Sequence, residues 1–234
     1  MGKKLTKEEF DNRLKNNRLV ISLIGMSNIG KSRWSKKLIE IGFARVHCDD
    51  MIGQKLVAYL DPQLGTEGMA KWMGHPYEKR SAKTQKQYLE AEKKTMLEVI
   101  ESLENASQNS VVDTTGSFIH LDEPTCRKFC EKTLIVYIKA DAATRKKIFN
   151  RYMENPKPVI WQEIFKPRKN EKNEDALKRC YVNLLNHRAK LYEKYADVTI
   201  NKTLIKDDKV DVHGFLELIK ARLGNYIAQT IKRT

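Results

Sequence analysis

The eight residues GMSNIGKS, 25–32, lie between the apolar run LVISLI (19–24) and the amphipathic stretch RWSKKLIEIGF (33–43). They satisfy the spacing G-x-x-x-x-G-K-[ST] in full. LVISLI is a β-branched apolar run without alternation, the pattern of a central parallel strand covered on both faces. Beyond the loop, Trp34, Leu38 and Ile41 recur at helical spacing and Gly42 supplies a stop. Strand, glycine-rich turn and helix in that order aim backbone N–H groups and the positive helix end at one point, a cradle for polyphosphate. Gly25, Met26, Ser27, Asn28, Ile29 and Gly30 would form its wall, with Arg33 at the helix start. Lys31 would reach the β- and γ-phosphates, and the Ser32 hydroxyl would coordinate Mg²⁺. The expected ligand is a nucleotide polyphosphate with Mg²⁺.

Outward from the loop, strands and helices alternate. FARVHC (43–48) reads as a second strand ending at Asp49 and Asp50, and a long helix is expected from Tyr77 to about Leu103. SVVDTTG, TLIVYIKA and VTI read as further strands, with helices through TRKKIFNRYM, LKRCYVNLLNHRAKLYEKY and 212–223. This alternation predicts an α/β fold, a three-layer α/β/α sandwich around a parallel sheet, in one domain spanning 1–234. Residues 1–18 read as an N-terminal helix or arm. Pro and Gly punctuate 51–75 as a less regular region. Residues 155–173, with three prolines and dense charge, read as an exposed, mobile excursion.

Composition narrows the function classes. The 234 residues carry 44 Lys and Arg against 30 Asp and Glu, a net charge of +14 that attracts polyanions. The basic residues are spread along the chain, which favours a small phosphorylated ligand or a membrane surface over RNA. No apolar run approaches the roughly 18 residues of a membrane span, and the first apolar run is too short for a secretory signal. Cys48, Cys126, Cys130 and Cys180 are expected to be reduced thiols in a cytoplasmic protein.

Two acidic elements follow the loop. Asp113, at the end of the strand in SVVDTTG, could hold Mg²⁺ or cap a turn. The acids of HCDD (47–50) close the second strand, where ligands of an open parallel sheet collect. A carboxylate there could accept the proton of an acceptor hydroxyl or cap the next helix.

In order, over most of 19–223, the chain resembles the shikimate kinase family of small P-loop kinases. The most telling match is RAKLYEKYADVTIN (188–201), similar to the family's Arg, Leu-Tyr, Ala-Asp pattern before its last strand. The resemblance implies that Arg188 binds an acceptor carboxylate. The family's Asp-x-Asp aligns Asp49 with the acceptor-binding acid, so Asp49 is the implied base and Asp50 its possible substitute. His47 departs from the pattern. The segment from Thr144 to Ile160 resembles the start of the family's lid, here running over about 145–173. Lys157 takes the place of the lid arginine, and Arg151 lies near that of the arginine packing on adenine. Thr114, Thr115, Gly116 and Ser117 replace a run of three glycines, leaving Gly116 as a substrate contact. In YLEAE (88–92) Leu89 stands where the family carries a second carboxylate-binding arginine, and Arg80 is the residue that could compensate. The insertion at about 53–80 enlarges the acceptor region.

The implied activity is ATP- and Mg²⁺-dependent phosphorylation of a hydroxyl on a small, anionic metabolite, with shikimate the named candidate. The alternatives are a kinase for a sugar, a nucleoside or an RNA end and, from another class, a nucleotide-binding regulatory ATPase or switch.

Overall fold

The computed structural model describes residues 5–60, 65–156, 159–206 and 210–224. Strand β1 (Val20–Ile24) runs up the middle of the sheet and turns through the glycine loop into α2 (Lys31–Ile39). The remaining strands are β2 (Ala44–His47), β3 (Ser110–Asp113), β4 (Leu134–Lys139) and β5 (Val198–Asn201). They lie in the order β2-β3-β1-β4-β5, and every pairing is parallel. Ile21, Leu23 and Ile24 of β1 are fully buried, as are Ile135, Val136 and Ile138 of β4. That accounts for their unbroken apolar reading, because helices cover both faces.

Before the sheet, α1 (Lys7–Lys15) opens with a capping box in which Thr6 and Glu9 bond each other's backbone N–H. Its Phe10 joins the main core, so the N-terminal helix is packed rather than free. Helix α5 (Ser81–Glu104) is followed by α6 (Glu123–Lys132), α7 (Ala142–Glu154), α8 (Asn173–Tyr195) and α9 (Val212–Lys220). Among the described residues, no helix is long and apolar enough to cross a membrane.

The stretch read as irregular contains two helices. α3 (Cys48–Lys55) springs directly from β2 with His47 as its N-cap, and α4 (Gly65–Met73) follows a short 3₁₀ turn at Val57–Tyr59. With α5 they enclose a second apolar cluster: Ile52, Leu56, Met69, Met73, Tyr88, Ala91 and Ile160. This part of the chain therefore has a core of its own.

The expectation of an exposed excursion over 155–173 is corrected in part. Val159, Ile160 and Trp161 are buried. Ile160 enters the second cluster, and Trp161 packs against Tyr152, Phe165 and Tyr181. Gln85 of α5 fixes this stretch by accepting from Trp161 N at 2.6 Å. Three consecutive apolar residues between charged flanks bury favourably once α5 and α8 offer a surface.

Candidate active site

The carboxyl ends of the strands open onto a cavity of about 830 Å³. β1 lies between β3 and β4 at the point where the strand order reverses, which places the crevice above it. On one side stands the glycine loop. Gly25 has φ +142° and a Cβ there would meet Ile138 O at 2.9 Å, while Gly30, the N-cap of α2, has φ +109°. Both conformations favour glycine. Lys31 is buried and donates through Nζ to Gly25 O (3.0 Å) and Met26 O (3.2 Å). Burial pushes its pKa down, opposed by Asp49 and Asp113. Ser27, Asn28, Gly30, Lys31, Ser32 and Arg33 all border the cavity, and Arg151 reaches it from the last turn of α7. Met26 and Ile29 are buried beneath the loop.

Across the cavity, Asp49 and Asp50 occupy the first turn of α3, whose positive end favours them. Asp49 opens to the cavity, yet the surrounding protein raises its pKa, with Lys31 and His47 pulling the other way. His47 Nδ1 stands 2.6 Å from Asp50 Oδ2.

Arg188 comes from the buried face of α8 and borders both this cavity and a small hollow beside Met26, Ser27 and Asn28. Its Nε donates to His120 Nε2 at 3.3 Å. Burial and the charge of Arg188 drive the His120 pKa down to about 3, so the imidazole stays neutral and acts as acceptor. Among the described residues, no carboxylate forms an ion pair with Arg188, which leaves its guanidinium end suited to a ligand anion. Gly116 also lines the cavity; its carbonyl accepts from Tyr192 Oη at 2.5 Å, and a Cβ there would stand 3.2 Å from Ser27 Oγ.

Two expected residues lie elsewhere. Arg80 is outside the cavity lining and pairs with Glu78 at 2.9 Å. Asp113 is buried behind the cavity, opposite His47 and Leu23 in the sheet register. Its Oδ2 takes Arg45 Nη2 at 2.6 Å, Ser35 Oγ at 3.1 Å and His47 Nε2 at 3.5 Å. Lys157 falls outside the described residues.

Mg²⁺ takes oxygen ligands, commonly one or two carboxylates together with substrate phosphates. Ser32, Asp49 and Asp50 border one cavity and fit that donor set. Among the described residues, no cluster of three or more His, Cys, Asp and Glu forms a ready-made metal cage. Asp113 Oδ2, already held by a guanidinium, fits less well.

The sequence reading missed Arg45 and Glu92. Arg45 shares a strand face with His47, and an acid at the end of a buried strand needs such a countercharge. Glu92 lies on the buried stripe of α5, four residues after Tyr88. It is fully buried and accepts from Thr115 Oγ1 and, at 3.0 Å, from Ser117 Oγ. Its Oε2 has no partner among the described residues, and burial pushes its pKa up to about 7. An acid on an otherwise uncharged stripe was the available signal.

The family model for shikimate kinase matches residues 77–220, more than half of the chain. The chain belongs to the shikimate kinase family. That match takes in Gly116, Arg151 and Arg188, while the glycine loop precedes it. Among solved structures, shikimate kinase from Acinetobacter baumannii in complex with shikimate has TM-score 0.55 and 15% identity, covering 96% of this chain and 99% of that one. Shikimate kinase from Bacteroides thetaiotaomicron has TM-score 0.52 and 16% identity, covering 87% of this chain and 97% of that one. At such identities these likenesses speak for the shikimate kinase fold alone. No curated protein matches the sequence significantly.

Proposed function

We propose that this chain transfers the γ-phosphoryl group of ATP to a hydroxyl of a small, anionic metabolite, shikimate being the acceptor that family membership suggests. The observation that carries this reading is that Lys31 and the glycine loop face Asp49 and Arg188 across a single cavity. A donor cradle and an acceptor base with an anion anchor are thereby within reach of one bound pair.

Lys31 leaves its two loop carbonyls for the β- and γ-phosphates, and the backbone N–H groups of 25–32 hold the remaining oxygens. Asp49 orients the acceptor hydroxyl and takes its proton as the bond to phosphorus forms, aided by a pKa above the ordinary carboxylate value. Arg188 holds the acceptor's carboxylate in position through its guanidinium end. Arg151 covers the nucleotide side, where its positive charge favours phosphate. Mg²⁺, when bound, would neutralise phosphate charge, with Ser32 and Asp50 as its protein ligands.

A coupled ADP-release assay tests the reading. ADP formed from ATP only when shikimate or another hydroxylated anion is present supports it. ADP formed at one unchanging rate with every acceptor, and altered only by a protein partner, would instead mark a regulatory ATPase.

A further inference from the structure

We infer that His120 is the positioning residue of the acceptor anchor: by accepting from Arg188 Nε it turns the guanidinium end-on toward the acceptor carboxylate and leaves its charge uncancelled. The inference rests on the reading above, in which Arg188 holds that carboxylate, and adds the residue that sets the arginine's orientation. His120 itself lies outside the cavity lining, so it acts through Arg188.

The fold holds His120 in place. It closes the 3₁₀ turn Phe118–His120, in which Phe118 and Ile119 are buried. Thr115 Oγ1 accepts from Ser117 N at 3.1 Å and from Phe118 N at 3.2 Å, and His120 N donates to Ser117 O at 2.8 Å. The Phe118 ring meets Phe129 edge-on and lies 5.7 Å from the Tyr195 ring. On α8 the His187 ring stands nearly parallel to that of His120, at 6.4 Å. A turn braced in this way presents its imidazole to α8 in one place.

Arginine carries only donors, so the His120 nitrogen that meets Nε at 3.3 Å is unprotonated and the ring is neutral. Burial and the charge of Arg188 keep it neutral, with the pKa down to about 3. A guanidinium can grip a carboxylate side-on, through Nε and one Nη, or end-on through both Nη groups. With Nε engaged, the end-on fork remains. A carboxylate in the place of His120 would hold the same nitrogen, but its charge would offset that of the arginine and compete with the ligand anion. A neutral imidazole orients without competing. Glu92, a buried acid whose pKa Arg188 lowers, bonds Thr115 and Ser117 and forms no ion pair with the arginine.

Two measurements test the inference. The first needs no ligand: solvent exchange of the Arg188 Nε–H signal in ¹⁵N-labelled protein, assigned by its loss in Arg188→Lys. Exchange should be slow in the parent and in His120→Gln, whose amide oxygen supplies a neutral acceptor, and at least about tenfold faster in His120→Ala. The second uses shikimate as the probe, titrated by calorimetry into protein saturated with Mg²⁺ and a non-hydrolysable ATP analogue. His120→Ala and His120→Glu should each weaken shikimate roughly tenfold or more and His120→Gln no more than about threefold, with affinity for the ATP analogue unchanged in all three. The inference is overturned if exchange in His120→Ala matches the parent, if His120→Ala or His120→Glu binds shikimate as tightly as His120→Gln, or if the ATP analogue weakens in step with shikimate. Arg188→Ala distinguishes this failure from that of the anchor reading, which falls if shikimate affinity is the same without the arginine. A parent that does not bind shikimate would remove the named acceptor, and the exchange comparison would then decide the inference.

Discussion

The Arg45 guanidinium holds Asp113 at 2.6 Å, with the acid fully enclosed and the arginine half-buried at the sheet edge. Removing one partner of such a pair leaves an uncompensated buried charge. Arg45→Ala should therefore cost about 3 kcal/mol, seen as a fall of roughly 10 °C in Tm for a chain of this size. Adding Asp113→Asn should recover part of that loss. An Arg45→Ala protein as stable as the parent in urea would show that the pair contributes nothing.

Glu92 makes stability depend on pH. Its folded pKa, about 7, lies above the ordinary value of 4.5 because burial outweighs the hydrogen bonds from Thr115 and Ser117. Below about pH 4.5 folded and unfolded chains both hold this proton. As pH rises toward about 7 the unfolded chain releases it first, so this site's contribution is lost progressively and the loss is complete above the folded pKa. The difference amounts to about 3 kcal/mol. Urea midpoints measured from acid to alkaline pH should fall less steeply for Glu92→Gln than for the parent; parallel curves would contradict the assignment.

Lys31→Ala should lower turnover by about a hundredfold or more, because the amine proposed to bind the transferring phosphate is lost. Near-normal turnover, measured by ADP release, would remove the glycine loop from the mechanism.

Asp49→Asn should leave affinity for ATP close to normal and reduce kcat by about 10²–10⁴-fold, the range for a general base. Asp50→Asn, next along α3 and beside His47, should do far less. A reversal of these two effects would give Asp50 the proton.

Arg188→Ala should raise the KM of a carboxylate acceptor much more than that of ATP, since the anchor acts on one ligand. Equal effects on both would place Arg188 on the phosphate, a position that the small hollow beside Ser27 also offers.

The loop and its flanking elements were legible because glycine spacing and an unbroken apolar strand have few other uses. All five strands lie within a residue or two of their apolar runs, and α5 and α8 follow from long buried stripes. Helices α3 and α4 were hidden by Gly53, Gly65 and Gly68, whose turn character masks stability drawn from the second cluster. The burial of Val159, Ile160 and Trp161 was hidden by their proline- and lysine-rich neighbours. At the site, single residues such as Asp49 and Arg188 could be named. The bond from Arg188 to His120 and the ion pair from Arg45 to Asp113 join residues 68 apart in each case, and only the folded chain brings them together.

The most direct test of phosphoryl transfer is to follow the γ-phosphorus of ATP by ³¹P NMR in the presence of hydroxylated carboxylates. The account predicts that it appears as a phosphate monoester on the acceptor, in step with ADP, and that Asp49→Asn suppresses this signal. Inorganic phosphate as the product, formed at the same rate with and without acceptor, would contradict it.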